Sequence, residues 1–479
     1  MPRHHARSAS THSPGRLLHL VTGPNNPKPD RRGVTRDELS ALARLGVPLV
    51  GASLAEMGMA ITDMAIVGRL GALELAAVGL AGGIAFDMLS ILLGILTVVG
   101  MLVAEAAGAG DHDRVGAIVG QGLRIALGLS VVMVGFALIL PWLINLTPQD
   151  QGLIPLAAAY LHAVAWAFPL AMVYGVLVDT ATALDRTRAV FIVSLGAVIM
   201  NAPASWFLVF SFSGFEGLGV AGAGYATSLV HLIMVAALGF WLLRDRALSL
   251  TAGNLLSRDK AARGDIVRVG LPVAGMTVIE SSMFSITALL MGGFGAAVLA
   301  AHRILKGYAD GAATIAFAIG DAATMRVARA LGAGDMARAR HTGQLAIFTG
   351  GALLLVPSVL CLVEPRSIAW LFLGDRNQGN AEAYRWMSAL SGVAAVYVLA
   401  SGLQVIAEHA LRGLKDTLIP MWQSAIGLWG VGLAGGVALA YGLELGAQGL
   451  WYGMAAGSGL TALLFVLRFI RLTRPRDSL

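Results

Sequence analysis

A stretch of apolar sequence carrying one proline, one carboxylate and several glycines occurs twice in this chain, 224 positions apart and without a gap. Residues 43–51, ARLGVPLVG, align with 267–275, VRVGLPVAG, so Pro48 falls on Pro272, Gly46 on Gly270 and Gly51 on Gly275. The same offset sets Glu56 on Glu280, Gly71 on Gly295, and VAEAAGAGD (103–111) on VARALGAGD (327–335). Two apolar units in the same order predict a pair of membrane bundles facing each other across a central cavity. Such an architecture commonly moves a solute.

With 57% hydrophobic and 13% charged residues and a mean hydropathy of +0.74, the chain is not an ordinary soluble globule. Its single cysteine, Cys361, excludes an intrachain disulfide framework and a cysteine metal site, and reads as packing. The formal charge of +6 comes from basic residues in loops and tails flanking apolar runs, where membrane topology accounts for them without a nucleic-acid partner.

Residues 1–40, rich in Pro, Ser, His and Arg, read as a disordered cytoplasmic tail. Apolar runs of spanning length follow near 42–66, 76–104, 116–141, 153–182, 188–211 and 218–243, and again near 266–291, 298–325, 342–363, 383–410, 418–440 and 446–470. The expected fold is an all-α membrane protein of twelve transmembrane helices, in two six-helix bundles related by pseudo-two-fold symmetry. The N-terminal lobe takes 41–243, a cytoplasmic linker 244–265, the C-terminal lobe 266–471 and a short cytoplasmic tail 472–479. Lys and Arg concentrate in DHDR (111–114), DRTR (185–188), 244–268, 326–340, RGLK (412–415) and RLTRPR (471–476), while NLTPQDQ (145–151), SFSGFEG (211–217), GGFGA (292–296) and YGLELGAQ (441–448) have none. EPRSIAWLFLGDRNQG (364–379) breaks the pattern. The basic side is therefore read as cytoplasmic, with both termini there.

Pro48 and Pro272 each lie inside the first helix of a lobe, where a missing backbone donor permits bending. Ionisable groups within membrane spans are costly and point to function or to a partner. The acidic candidates are Glu56, Asp63, Asp87, Asp179, Glu280, Asp310, Asp321 and Glu408, set against Arg303, Lys306, His162, His231, His302 and His409. A net acidic interior suits protons and organic cations. Glu56 and Asp63, two turns apart, share a helix face and read either as a protonatable or cation-binding pair or, for Asp63, as a carboxylate at the outer rim. Glu280 lies at the equivalent depth of the seventh span, where Ser281, Ser282 and Ser285 are expected to supply oxygen contacts. Asp87 and Asp310 sit at matching heights as cavity acids, or Asp310 pairs with Lys306 at i,i+4. Asn201 and Ser205 share a face of the fifth span and Thr227 begins the sixth, as polar glue or as ligands. Glu408 and His409 read as solvated at the cytoplasmic rim, His162 and His231 as packed or solvated, and no histidine pair has metal-ligand spacing.

At these residues the chain resembles the multidrug and toxic compound extrusion (MATE) family, of the NorM and DinF type. ITDMAIVGRLGALELAAVGLA (61–81) resembles its first-helix signature, with Asp63 at the acidic position. LPVAGMTVIE (271–280) with VLAAHRI (298–304) resembles its seventh-to-eighth helix segment, with Glu280 at the acidic position. ALRGLKDT (410–417), RVARALGAGD (326–335) and GLGVAGAGYATSL (217–229) resemble its loop motifs, and the likeness runs over about residues 40–470. It implies a two-lobed antiporter expelling organic cations and drugs in exchange for sodium or protons, with Asp63, Glu280, Asn201 and Thr227 in ion coupling. Two positions depart from the family. Ser401 stands three residues before Gln404 where the NorM-like branch has Asp, and Ser205 stands where the DinF-like branch has its second acid. Because sodium needs several oxygen ligands and a proton needs one basic group, losing those acids favours protons. Glu56, Asp87, Asp310 and Glu408 are the remaining cavity candidates. The expected assembly is a monomer in the bacterial inner membrane, without cofactor. A lipid-linked saccharide flippase of the same superfamily calls for a more cationic cavity, an intramembrane transferase for clustered metal-binding acids, and a passive channel would not support uphill export.

Overall fold

The computed structural model describes residues 31–211, 216–245, 252–257, 259–377 and 379–474, which are helical with short connections and contain no strand. The N-terminal lobe begins with α1 (Arg31–Val67). Its second crossing is α2 (Ala72–Leu96) and α3 (Val98–Gly108), interrupted at Thr97, and α4 (His112–Asn145) follows. α5 (Leu153–Val164) and α6 (Ala167–Ala183) form one crossing bent by 45°, before α7 (Thr187–Val209) and α8 (Val220–Arg244). A short α9 (Ala252–Leu256) leads to the C-terminal lobe. That lobe holds α10 (Lys260–Gly292), α11 (Ala296–Gly332), α12 (Met336–Val363), the short α13 (Pro365–Leu373) and α14 (Ala381–Gly413). α15 (Leu418–Ser424) continues through π-helical turns and α16 (Gly435–Val437) to Gly442, and α17 (Gly446–Leu472) closes the fold. Among the described residues, ten helices are apolar and long enough to cross a membrane, and the bent α5–α6 pair makes eleven. The twelfth crossing is α11, 37 residues long, which carries Arg303, Lys306, Asp310 and Asp321 along its length.

The tail expected over 1–40 lies outside the described residues up to position 30, but α1 already begins at Arg31. Burial of Glu38 explains this earlier start. Its carboxylate accepts bonds from Arg326 at 2.7–3.0 Å, Arg338 at 2.7 Å and Thr342 at 3.2 Å, so the polar start of α1 finds partners on the other lobe. Of the expected linker, residues 246–251 and 258 lie outside the described set, and α10 takes up the rest from Lys260.

The repeated GAGD block is a helix stop followed by a helix start. Gly110 and Gly334 adopt φ of +74° and +73°, a left-handed conformation that side chains resist. Asp111 and Asp335 then cap the next helices by accepting from the Arg114 and Arg338 amides at 3.0 and 2.9 Å. One turn earlier, the same repeat brings the lobes together. A Cβ on Gly332 would lie 1.9 Å from the Glu105 carbonyl oxygen, and one on Gly108 would lie 2.1 Å from that of Arg329. Farther along, Gly270 abuts the Ile95 carbonyl and Gly46 faces that of Ala318. Ion pairs reinforce this basic end: Arg329 with Asp185, and Lys415 with Glu105. The lobes thus meet in a floor at their basic end, built from duplicated glycines.

Both prolines lie inside unbroken helices. Pro48 leaves the Arg44 carbonyl without its helical donor, and the Thr187 hydroxyl reaches that oxygen at 3.4 Å. In the other lobe Thr417 donates to the Val269 carbonyl at 2.9 Å, beside the position that Pro272 leaves open. The DRT and KDT loops therefore serve the two proline helices alike.

Candidate ion-coupling site

α1 packs along α7, and its two acids meet polar residues of α7 at the same seven-residue spacing. Glu56 accepts a hydrogen bond from Ser194, which is also 3.1 Å from the Tyr174 hydroxyl. Two turns on, Asp63 Oδ1 accepts from Ser205 Oγ at 2.6 Å, while Oδ2 accepts from Thr227 Oγ1 at 3.2 Å and Asn201 Nδ2 at 3.4 Å. Asn201 and Ser205 are buried, and α8 delivers Thr227 from the opposite direction. Asp63 is therefore a half-buried carboxylate tied into the contact between α1, α7 and α8. Tyr160 of α5 lies within its electrostatic reach. Among the described residues no cation offsets Asp63 or Glu56; their partners are neutral donors. The buried Asn201 Oδ1 has no partner. Together the carboxylate, two hydroxyls and one amide form a polar set around one negative charge, which can take a proton or, with the hydroxyls and the amide turned, a small hard cation.

Glu280 in the second lobe has a different setting. Glu408, Lys306 and Asp310 lie within electrostatic reach, but no side-chain hydrogen bond joins it among the described residues. The seryl shell expected there is not built, because Ser282 donates back to the Val278 and Ile279 carbonyls of its own helix. Ser401, at the family's missing acid, instead bonds Tyr397, which faces Glu280 and Asp310. Asp310 pairs with Lys306, whose ammonium also lies 4.0 Å from the Phe284 ring centre, so the ion-pair alternative holds. Asp87 is exposed on α2 and stands apart from both clusters. Glu408 and His409 are not solvated at a rim. Glu408 accepts from Arg412 at 2.7 Å in a pair that is largely buried, and the His409 ring is buried against Phe317 and Gly320. Their position near a helix end misled because α11 of the same lobe packs over the His409 ring and Arg412 closes on Glu408. His162 is exposed, and His231 holds the Thr227 carbonyl at 2.8 Å.

Ser194, Tyr174 and Tyr160 were not singled out from the sequence. The repeated seven-residue step, Glu56 to Asp63 against Ser194 to Asn201, is the signal that could have found Ser194.

Comparisons with known proteins agree with this picture. The MatE family model matches residues 48–207 and 272–437, one match in each lobe. The multidrug resistance protein NorM of Burkholderia vietnamiensis is 34% identical over 429 residues, covering 89% of this chain and 92% of that protein. The probable multidrug resistance protein NorM of Deinococcus radiodurans is also 34% identical, over 92% of this chain and 97% of its own length. A crystal structure of a MATE transporter in the bent conformation superposes with a TM-score of 0.84 at 17% identity, covering 92% of this chain and 97% of that one. The duplicated lobes, the buried acid of the first helix and these likenesses lead to one conclusion: the chain belongs to the MatE family and is a multi-pass membrane protein of the multidrug efflux transporters.

Proposed function

We propose that this protein is a secondary antiporter that exports organic cations and drugs across the bacterial inner membrane in exchange for protons, by alternating access. It works as a monomer, without a cofactor, with both termini in the cytoplasm. The observation that carries the reading is Asp63, a single carboxylate held inside the N-terminal lobe by three neutral donors and no cation. A proton on Asp63 removes the charge that Ser205, Thr227 and Asn201 converge on and loosens α1 against α7 and α8. Pro48 lies between that site and the interlobe floor, where a change in helix bend is transmitted. Acids, not cations, dominate the spans around the crevice, which favours cationic cargo over a pyrophosphate-linked lipid. Sodium is the second reading, favoured by the unpartnered oxygen of Asn201.

Purified protein in liposomes decides between them. Efflux of a fluorescent lipophilic cation is expected under an imposed proton gradient and not under a sodium gradient. Export under sodium alone moves the coupling to an oxygen cage around Asp63, and export under neither overturns the antiporter reading.

A further inference from the structure

The crevice floor holds a second group of charged residues that Asp63 does not explain. His409 Nδ1 lies 2.8 Å from the Val405 carbonyl oxygen. A carbonyl only accepts, so Nδ1 carries a hydrogen and the other ring nitrogen is the one free to titrate. That nitrogen, Nε2, lies 3.3 Å from Asp321 Oδ1 of α11. An ionised carboxylate also only accepts, so the contact is a hydrogen bond only if one proton is shared between the two groups. The ring is fixed for this role. A Cβ on Gly320 would come within 2.7 Å of it, Phe317 meets it edge-on at 5.7 Å, and Thr324 holds the His409 carbonyl at 2.8 Å.

Asp179 of α6, from the opposite lobe, faces this pair across the floor, with Arg412 also in electrostatic reach. Arg412 is engaged by Glu408 on the same helix. α3 approaches with Gly100, against Met325 and the Asp179 backbone, and so brings no charge. Two carboxylates, one from each lobe, therefore meet one imidazole and one already paired guanidinium.

We propose that Asp321 and His409 form a second proton-binding site, with the proton carried by His409 Nε2 and held by Asp321 Oδ1. Asp321 keeps 44% of its side-chain surface accessible, which gives the proton a route in. The use of this proton in export rests on the antiporter reading; the existence of the site does not.

Nitrogen-15 NMR of histidine-labelled protein in bilayers tests it, with the His409 signal assigned by its loss in His409→Gln. At pH 6 the wild type is expected to show His409 with both ring nitrogens protonated, and Asp321→Asn to lose the Nε2 proton. Asp63→Asn is expected to leave the signal unchanged. A wild-type His409 with a bare Nε2 at pH 6, or an Nε2 proton that survives Asp321→Asn, overturns the proposal. Failure of proton-driven export with this NMR pattern intact would remove the antiporter reading and leave the proton site standing.

Discussion

The two lobes descend from one repeated unit, yet they surround the repeated carboxylate in opposite ways. Among the described residues Glu56, like Asp63 two turns on, is met by neutral donors and by no ion, whereas its repeat partner Glu280 has Lys306, Asp310 and Glu408 within electrostatic reach and no side-chain hydrogen bond. A carboxylate held by neutral donors changes its surroundings by a full charge when it binds a proton. One set among other charges passes part of that change to its neighbours. The contrast teaches that duplication fixes where a side chain sits in the bundle and leaves open what surrounds it. Under the proposed antiport, the coupling step belongs to the first lobe.

The largest effect should come from breaking that asymmetry directly. Asp63→Asn keeps the size and one acceptor oxygen but cannot ionise, and gradient-driven export is expected to fall by about 100-fold. Glu280→Gln, in its charged surroundings, is expected to cost less than tenfold. Parallel measurements of gradient-driven efflux in liposomes check both. If Glu280→Gln is the more damaging, the assignment of the lobes is reversed.

Next comes the floor. Gly332→Ala puts a methyl group into a space where the Glu105 carbonyl oxygen lies 1.9 Å from the built Cβ, and backbone cannot step aside as a side chain does. Closure at the basic end should be destabilised by about 1–3 kcal/mol, read as a longer distance between spin labels placed on the basic-end loops. Gly264→Ala, where a Cβ meets nothing within 4 Å, should leave that distance unchanged.

Much of this comparison was legible in the sequence. The offset of 224 exposes the lobes, and the seven-residue step from Glu56 to Asp63 finds the face that meets α7. The missing parts are lateral. Where helices are apolar on every side, periodicity does not say which neighbour covers which face. Glu408 and His409 therefore looked exposed until α11 was laid over the His409 ring and Arg412 closed on Glu408, and Ser282 looked like a ligand until its hydroxyl turned to its own backbone. α11 was legible by length and not by apolarity, because its charges are answered within the bundle by Asp310 for Lys306 and by His409 for Asp321. The early start of α1 could not be read locally, since what buries Glu38 lies almost 300 positions away, at Arg326 and Arg338.

A smaller effect tests the first lobe alone. Ser205→Ala removes the 2.6 Å bond to Asp63 and should weaken export by about tenfold, in keeping with about 1.5 kcal/mol for a hydrogen bond to a charged group. Thr227→Val removes a longer bond from a hydroxyl that also serves the Ala223 carbonyl, and should do less. Equal losses from the two would show that the geometry around Asp63 is not what sets its proton affinity.

The smallest effect concerns the latch, where the lobes differ by a reversal of sign. In the first lobe Asp185 reaches across to Arg329, and its neighbour Arg186 holds Asp245 at 2.7 Å within the lobe. In the second, Lys415 reaches across to Glu105, and its neighbour Asp416 holds Arg468 within the lobe. Glu105 and Arg329 occupy the same place in the repeat, as do the LDRT and LKDT loops, so each crossing pair is the charge inverse of the other. An arrangement with two like-signed α-helix ends would need both loops to carry the same opposite charge. The alternation instead keeps the floor neutral and prevents a lobe from pairing in the wrong register. Lys415→Glu should set two carboxylates against each other and open the basic end, and adding Glu105→Lys should restore closure. These groups are partly exposed, so the coupling is expected to be only about 0.5–1 kcal/mol, a two- to fivefold change in the closed population. The same double-mutant cycle on Asp185 and Arg329 should give an equal coupling. A cycle that closes at zero in one lobe and not in the other would show that the inverted pairs do not share the work of holding the floor.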